Sequence, residues 1–154
     1  MLAIETPVLK ISKLTDYAVL ILHTLGQSEC DRQSVDAIAQ QTALTTATVR
    51  KVMNLLVSAQ LVHSHRGAHG GYQLANSLRS ISLLNVITAI EGPVSLTECC
   101  DEDASCDILD QCQMQSKWTS VNQVITNTLS KLTVADLAQP SLIEANATLK
   151  VMTG

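Results

Sequence analysis

Residues 34–74 read SVDAIAQQTALTTATVRKVMNLLVSAQLVHSHRGAHGGYQL, and this stretch decides the fold. Ser34 can cap a short helix whose inward side chains are Val35, Ile38 and Ala39. The tight connection at residues 43–45 (ALT) then leads to a longer helix that starts at a threonine cap. Its buried side carries Val49, Val52, Met53 and Leu56. A short helix, a tight turn and a longer helix predict a helix-turn-helix.

The same stretch ends in a predicted β-hairpin. Residues 61–65 (LVHSH) and 72–74 (YQL) indicate two short strands, joined by residues 66–71 (RGAHGG). The glycines permit positive φ and let the backbone approach a DNA minor groove, into which Arg66 or His69 can reach. A hairpin after a helix-turn-helix predicts a winged helix. A glycine-rich tip without a ligand is the alternative.

The first turns of the longer helix carry hydroxyl and cationic groups, which suit contacts with phosphates and base edges in a major groove. A solvated polar face is the alternative. The candidate DNA contacts on this helix and in the hairpin are Thr46, Thr48, Arg50, Lys51, Arg66, Gly67, His69, Gly70 and Gly71.

Composition and charge set the class of protein. With 154 residues, 46% hydrophobic and 16% charged, the chain can bury one ordinary core. Residues 1–80 carry seven Lys or Arg against five acids, whereas residues 81–154 carry three against nine, so the overall charge of −4 is polarised. Apolar residues at helical spacing from Leu14 to Leu25 add an amphipathic first helix. We expect a mostly α protein with a DNA-binding region over residues 1–80.

Residues 1–10 contain no hydrophobic run, and no stretch is apolar enough to span a bilayer. We therefore expect a cytoplasmic, reducing location. No nucleophile–base pair, phosphate loop or substrate-pocket motif indicates an enzyme.

Three cysteines at equal intervals form a C-x5-C-x5-C array: Cys100, Cys106 and Cys112, with Cys99 beside the first. Thiolates are the ligands that iron–sulfur clusters and zinc select. Acidic neighbours from Asp101 to Asp110 argue against thiols buried as small hydrophobes. The array predicts a metal cofactor. Zinc binding or thiol redox sensing is the alternative, although x5 spacing is longer than that of common structural zinc sites.

A long helix after the array carries a repeat with alternating steps of four and three. Its members are Met114, Trp118, Val121, Ile125, Thr128 and Leu132. This is the seam of a two-stranded coiled coil, although packing against its own domain is the alternative. Pairing is favoured because the stripe is otherwise exposed, and the predicted dimer contacts are Trp118, Val121, Ile125 and Leu132. Thr133 is expected to cap a short helix over 134–138.

Four stretches together resemble the Rrf2 family of bacterial winged-helix transcription regulators. They are residues 13–18 (KLTDYA), 66–72 (RGAHGGY), 89–92 (AIEG) and the cysteine loop. The resemblance covers residues 10–138, and residues 11–17 and 92–99 look most like the branch that regulates the SUF iron–sulfur assembly operon. It implies a homodimer on a partly palindromic DNA operator, with a [2Fe–2S] or [4Fe–4S] cluster that tunes DNA affinity. Residues 81–138 then hold the cluster loop and the dimerisation helix, and residues 139–154 a mobile tail.

The sequence departs from the family pattern at two ligands. The x5 spacing selects Cys100 as the first ligand, whereas the match of residues 96–98 (LTE) selects Cys99. A histidine that a related cluster regulator places after the last cysteine is Gln115 here, a poor iron ligand. Resemblance to the nitric-oxide-sensing branch implies instead that Asp16 reaches the cluster of the partner subunit. An ordinary first-turn acid favoured by the helix dipole is the alternative.

Overall fold

The computed structural model describes residues 10–100 and 112–139. In chain order their elements are α1 (Lys13–Gln27), α2 (Val35–Thr42), α3 (Thr46–Ser58), β1 (Val62–His65), β2 (Gly71–Leu74), α4 (Leu83–Glu91), α5 (Gln115–Lys131) and α6 (Val134–Leu137). A 3₁₀ turn spans Glu98–Cys100. The chain is therefore mostly α with a helix-turn-helix and a hairpin, as predicted. Cys106 and the predicted tail beyond residue 139 lie outside the described residues.

Hydroxyl side chains cap the N-termini of both helices of the helix-turn-helix. Ser34 Oγ accepts a backbone hydrogen bond of 3.2 Å at the start of α2, and Thr45 Oγ1 accepts one of 3.2 Å at the start of α3. Between them, Ala43 adopts a left-handed φ of 57° that ends α2. Both predicted caps are confirmed, and the connection is as short as the sequence indicated.

One hydrophobic core contains side chains from α1, α2, α3 and the hairpin. The side chains predicted to face inward from the longer helix, Val49, Val52, Met53 and Leu56, are all fully buried. Further buried side chains come from the other elements: Ile21, Leu22, Ile38, Val62, Ile81, Val86 and Val134. The hairpin is antiparallel, with Val62 opposite Leu74 and His65 opposite Gly71. Because β1 supplies core residues, the wing is anchored to α3.

The second half of the chain returns to this core. Along α5, Ile125 and Leu129 line an apolar groove together with Ile87 of α4. At its end, the carbonyl of Leu132 accepts a 2.8 Å hydrogen bond from Leu83 N. Thr133 then caps α6 as predicted, and α6 ends at Leu137. No helix among the described residues is long and apolar enough to cross a membrane.

The predicted coiled-coil seam is divided by this packing. Met114, Trp118 and Val121 are exposed by 45%, 44% and 44%, as a surface for a partner requires. Ile125 and Leu132 are instead partly buried within their own domain, because the C-terminal half of α5 lies on α4. The first half of the stripe is thus more exposed than the second, in which Thr128 is exposed and Ile125 and Leu132 are partly buried.

Candidate functional site

Polar side chains project from one face of α3. Thr46, Arg50, Lys51 and Asn54 are exposed. Their spacing of four, five and eight residues from Thr46 places them on one broad face of a helix with 3.6 residues per turn. Thr48 is only partly exposed, since its hydroxyl lies 2.9 Å from that of Thr45 in the helix cap. The face on which DNA contacts are predicted is therefore polar and exposed, and the Thr48 hydroxyl lies beside it in the helix cap.

The wing presents Arg66, Gly67 and His69 to solvent at its tip. Gly67 has a φ of +107° with open space around its α-carbon, so its backbone conformation alone favours glycine. Gly71 has an internal reason to be glycine, because a Cβ there would lie 2.8 Å from the carbonyl oxygen of Gln33. Gly71 is therefore required by local backbone packing, whereas the side chains of Arg66 and His69 at the tip are exposed to solvent.

The loop before α2 holds the wing, a contact that the sequence did not indicate. Gln33 pairs with Tyr72 of β2 through two backbone hydrogen bonds of 3.0 and 2.8 Å. Beside it, Arg32 Nη1 donates to the His69 carbonyl at 3.4 Å. The wing is thus tied to the segment that leads into the helix-turn-helix. One isolated bridge has no periodicity, so no sequence pattern marks it.

The thiols of Cys99 and Cys100 both lie close to the hydroxyl of Thr97, the residue before the 3₁₀ turn. Thr97 Oγ1 lies 3.1 Å from Cys99 Sγ and 3.3 Å from Cys100 Sγ. Both cysteines are partly exposed, as is Cys112, which lies three residues before α5. These three and the exposed Cys30 are free thiols.

Asn122 of α5 fixes the approach to this turn. Its Oδ1 accepts a 3.2 Å hydrogen bond from Leu96 N, and its Nδ2 donates to the Val94 carbonyl at 3.1 Å. The turn itself packs against α5. Thiols on an anchored turn, next to a hydroxyl that can donate to sulfur, have the donor chemistry of iron–sulfur ligands. Within residues 10–100 and 112–139, however, no three His, Cys, Asp or Glu side chains group together as a metal site requires. Neither Thr97 nor Asn122 was predicted, since an isolated polar residue gives no sequence signal.

The end of α4 is bonded to the start of α1. Glu91 accepts a hydrogen bond from the Thr15 hydroxyl and a 3.0 Å bond from Ser12 N. The Thr15 hydroxyl, followed by the Ser12 amide, lowers the pKa of Glu91. The carboxylate therefore stabilises the folded state at neutral pH, and this contribution is lost as acidification passes the folded pKa. The cysteine loop leaves α4 from this residue.

Asp16 lies in the first turn of α1, next to Thr15, and its side chain is exposed. It borders a cavity of about 430 Å³ between α1, α4 and α6. The apolar side chains of the lining are Ile11, Val19, Leu83, Val86, Ile87 and Leu137. Gln115 is the first residue of α5. Asp16 therefore places a carboxylate beside a mainly apolar cavity.

The chain matches the model of the family described as Rrf2, iron-dependent transcriptional regulator, over residues 11–140. It is 31% identical over 115 residues to Protein rrf2 of Nitratidesulfovibrio vulgaris, an alignment that covers 74% of this chain and 77% of that protein. The family match spans both the helix-turn-helix and the cysteine array.

Two solved structures are similar along most of their length. CymR, the global cysteine regulator of B. subtilis, has a TM-score of 0.61 and 26% identity, covering 84% of this chain and 96% of that one. IscR of T. potens has a TM-score of 0.60 and 27% identity, covering 95% and 93%. Relatives are named as regulators of transcription, as expected for a chain without catalytic motifs.

Proposed function

The chain belongs to the Rrf2 family of helix-turn-helix transcriptional regulators, and on this premise we propose that it senses iron–sulfur status or oxidants through a cysteine-held cluster. One observation carries the proposal. The loop that bears Cys99 and Cys100 leaves α4 at Glu91, the residue hydrogen-bonded to the start of α1. A change at the cysteines therefore has a short covalent and hydrogen-bonded route to α1, which packs against α2 and α3.

Cys112, Cys106 and one of Cys99 and Cys100 would hold the cluster. When bound, an iron–sulfur group supplies redox and ligand-exchange chemistry that depends on its protein ligands. The protein contributes the anchored turn, the Thr97 hydroxyl and partial exposure to solvent. Likeness of residues 11–17 and 92–99 to the SUF branch supports cluster-assembly genes as targets. Sequencing of genomic fragments retained by the purified protein tests that assignment.

A regulator that uses the same cysteines for zinc or thiol redox sensing is the second candidate. Similarity to a protein described as a global cysteine regulator favours it. Anaerobic purification followed by iron, sulfide and zinc analysis separates the two functions. Equal iron and sulfide support the cluster. Stoichiometric zinc, or no metal at all, supports the second candidate.

The DNA interface is proposed to combine the exposed face of α3 with the wing tip. We expect Arg66→Ala to weaken operator binding roughly tenfold and to lower the salt dependence by about one ion, since one cationic groove contact is lost. Arg79→Ala is the matched control, because Arg79 is exposed and its charge acts on Asp136 instead. Titrations of operator DNA at several salt concentrations measure the affinity and its salt dependence for both variants. Equal losses in the two variants would argue against the wing.

We also propose that Asp16 of one protomer supplies the fourth cluster ligand of its partner. Asp16 borders the apolar cavity between α1, α4 and α6, and the exposed apolar residues of α5 are a matching surface on a second copy. If the partner's α5 covers this cavity, the cysteine loop before that helix comes close to Asp16. A carboxylate is also a better iron donor than the neutral amide of Gln115.

Anaerobic Asp16→Ala and Gln115→Ala variants compare the two ligand candidates. We expect Asp16→Ala to change the visible spectrum of the cluster and to hasten its loss in air about tenfold or more, because one ligand is removed. Gln115→Ala should behave as the wild type. A wild-type spectrum and air sensitivity in Asp16→Ala, together with their loss in Gln115→Ala, would assign the amide as the ligand.

A further inference from the structure

Arg32 lies beside the wing without being part of the hairpin. Gln33 forms an isolated antiparallel bridge with Tyr72, so the loop before α2 lies along the edge of β2 that β1 does not occupy. Successive residues of an extended segment point to opposite faces, and Arg32 therefore shares a face with Gly71. A Cβ at Gly71 would lie 3.4 Å from the Cβ of Arg32. The missing side chain at Gly71 thus leaves room for the Arg32 side chain along the wing.

The Arg32 side chain ends at the tip of the wing. Its Nη1 donates to the His69 carbonyl at 3.4 Å. Within the same tip, Gly70 N donates to the Gly67 carbonyl at 2.9 Å, which closes the turn that follows Arg66. Two cationic side chains from separate segments of the chain therefore meet at one wing tip.

Most of the hydrogen-bonding capacity of Arg32 is unused. A guanidinium has five N–H donors in a planar fork, and the bond to the His69 carbonyl is the one that Arg32 forms within residues 10–100 and 112–139. That bond is longer than the usual range of about 2.7–3.2 Å, so the guanidinium is free to tilt. The side chain is also exposed. An exposed guanidinium with free donors suits a phosphate, which arginine binds through two parallel hydrogen bonds.

Arg32 also lies where a helix-turn-helix meets the DNA backbone. In such motifs the first helix crosses the backbone and the second lies in the major groove. Here the first helix is α2, and Arg32 comes two residues before its cap, Ser34. A line of phosphates separates a major groove from the adjacent minor groove. Arg32 connects the start of the helix-turn-helix to the wing, and so it lies between the elements assigned to the two grooves.

We propose that Arg32 links the two parts of the DNA interface: it holds the wing tip through the His69 carbonyl and gives its free donors to a backbone phosphate. This inference rests on the proposed interface of α3 and the wing. Residues 28–33 (SECDRQ) carry two acids and one base, so this loop as a whole does not attract DNA. The contact depends on the position of one guanidinium, and a phosphate bound there fixes the wing against its groove.

Neutral phosphate analogues locate the contact. A duplex with a sequence recovered from the retained genomic fragments is made with one methylphosphonate at a time along each strand. We expect Arg32→Ala to bind the unmodified duplex about tenfold more weakly than the wild type, with a salt dependence lower by about one ion. At one phosphate in each half-site, the methylphosphonate should weaken the wild type about tenfold but Arg32→Ala by about twofold or less, since the partner is already lost.

Two further variants separate this contact from general charge. Arg32→Lys keeps the charge and lacks the planar fork, so we expect it to bind about threefold more weakly and to retain the salt dependence and the sensitive phosphate. Asp31→Asn changes the charge of the same loop by one unit. It should change affinity by about twofold or less, because a solvated charge away from the contact is screened. Both side chains are exposed, so the variants should fold.

The pattern of losses separates this inference from the proposed interface. Equal affinities of Arg32→Ala, Arg66→Ala and Arg79→Ala would overturn the wing interface and the role of Arg32 together. A loss in Arg66→Ala alone would overturn the role of Arg32 and keep the wing. The proposal also fails if Arg32→Ala is weakened by every methylphosphonate as much as the wild type is, because Arg32 would then hold the wing without touching DNA. An effect of Asp31→Asn as large as that of Arg32→Ala would replace the contact by general charge.

Discussion

Cys112→Ala is expected to lose the cluster, with iron and sulfide falling to about a tenth or less of the wild-type amounts. Cys112 lies three residues before α5, and the turn with the other thiols packs against that helix. Unlike Cys99 and Cys100, it has no adjacent cysteine in the sequence that could replace it. Cys106→Ala should have the same effect, because Cys106 is the central member of the equally spaced array.

Cys30→Ala is the matched control for these losses. Cys30 is exposed in the loop between α1 and α2, where its backbone N–H donates to Ser28 Oγ at 3.1 Å. Its thiol is distant in sequence from the array and is expected to be dispensable. Anaerobic iron and sulfide analysis of the three variants gives the answer. Full iron and sulfide in Cys112→Ala or Cys106→Ala would contradict the cluster assignment.

The helix-turn-helix was predictable because its signals are local. Ser34 and Thr45 cap the helices that follow them within three residues, and both caps form. The buried side of α3 follows from the helical period alone, as the complete burial of Met53 illustrates. Short-range hydrogen bonds and helical periodicity are therefore sufficient to predict the helix-turn-helix.

The tertiary links were not predictable in this way. Gln33 joins the wing through one isolated bridge, and Glu91 reaches α1 across more than 75 residues of chain. Asn122 contacts the cysteine loop from α5, the helix whose apolar repeat predicted pairing with a second chain. Each contact depends on how separate elements pack, and a single residue leaves no periodic signal. The same reason explains the divided seam, since Ile125 satisfies the heptad pattern and the contact with α4 equally well.

Assembly of two chains is the remaining step in the proposed mechanism. The exposed part of the α5 stripe consists of Met114, Trp118 and Val121, with Val124 beside it at 65% exposure. Contiguous apolar side chains of this size mark interaction surfaces in water-exposed proteins. A two-fold dimer would place two winged helices on two operator half-sites. The free half of α5 is therefore the proposed dimer contact.

Val121→Glu is expected to produce a monomer, because it places a charge in an apolar contact while leaving the protomer core untouched. Val121 is 44% exposed, so the variant should fold. Operator affinity should fall by about 10²–10⁴, since the two half-sites are no longer bound through one assembly. Cluster stability should fall as well, because Asp16 of the partner would be lost.

Thr119→Glu supplies the control for the added charge. Thr119 is exposed two residues earlier on α5, which turns its side chain about 200° around the helix from Val121. Sedimentation velocity and operator titration should find it dimeric and active. If Val121→Glu remained a dimer with wild-type affinity, the α5 stripe would not be the dimer contact. A monomer that kept a fully stable cluster would instead retain the dimer assignment and remove Asp16 as a ligand.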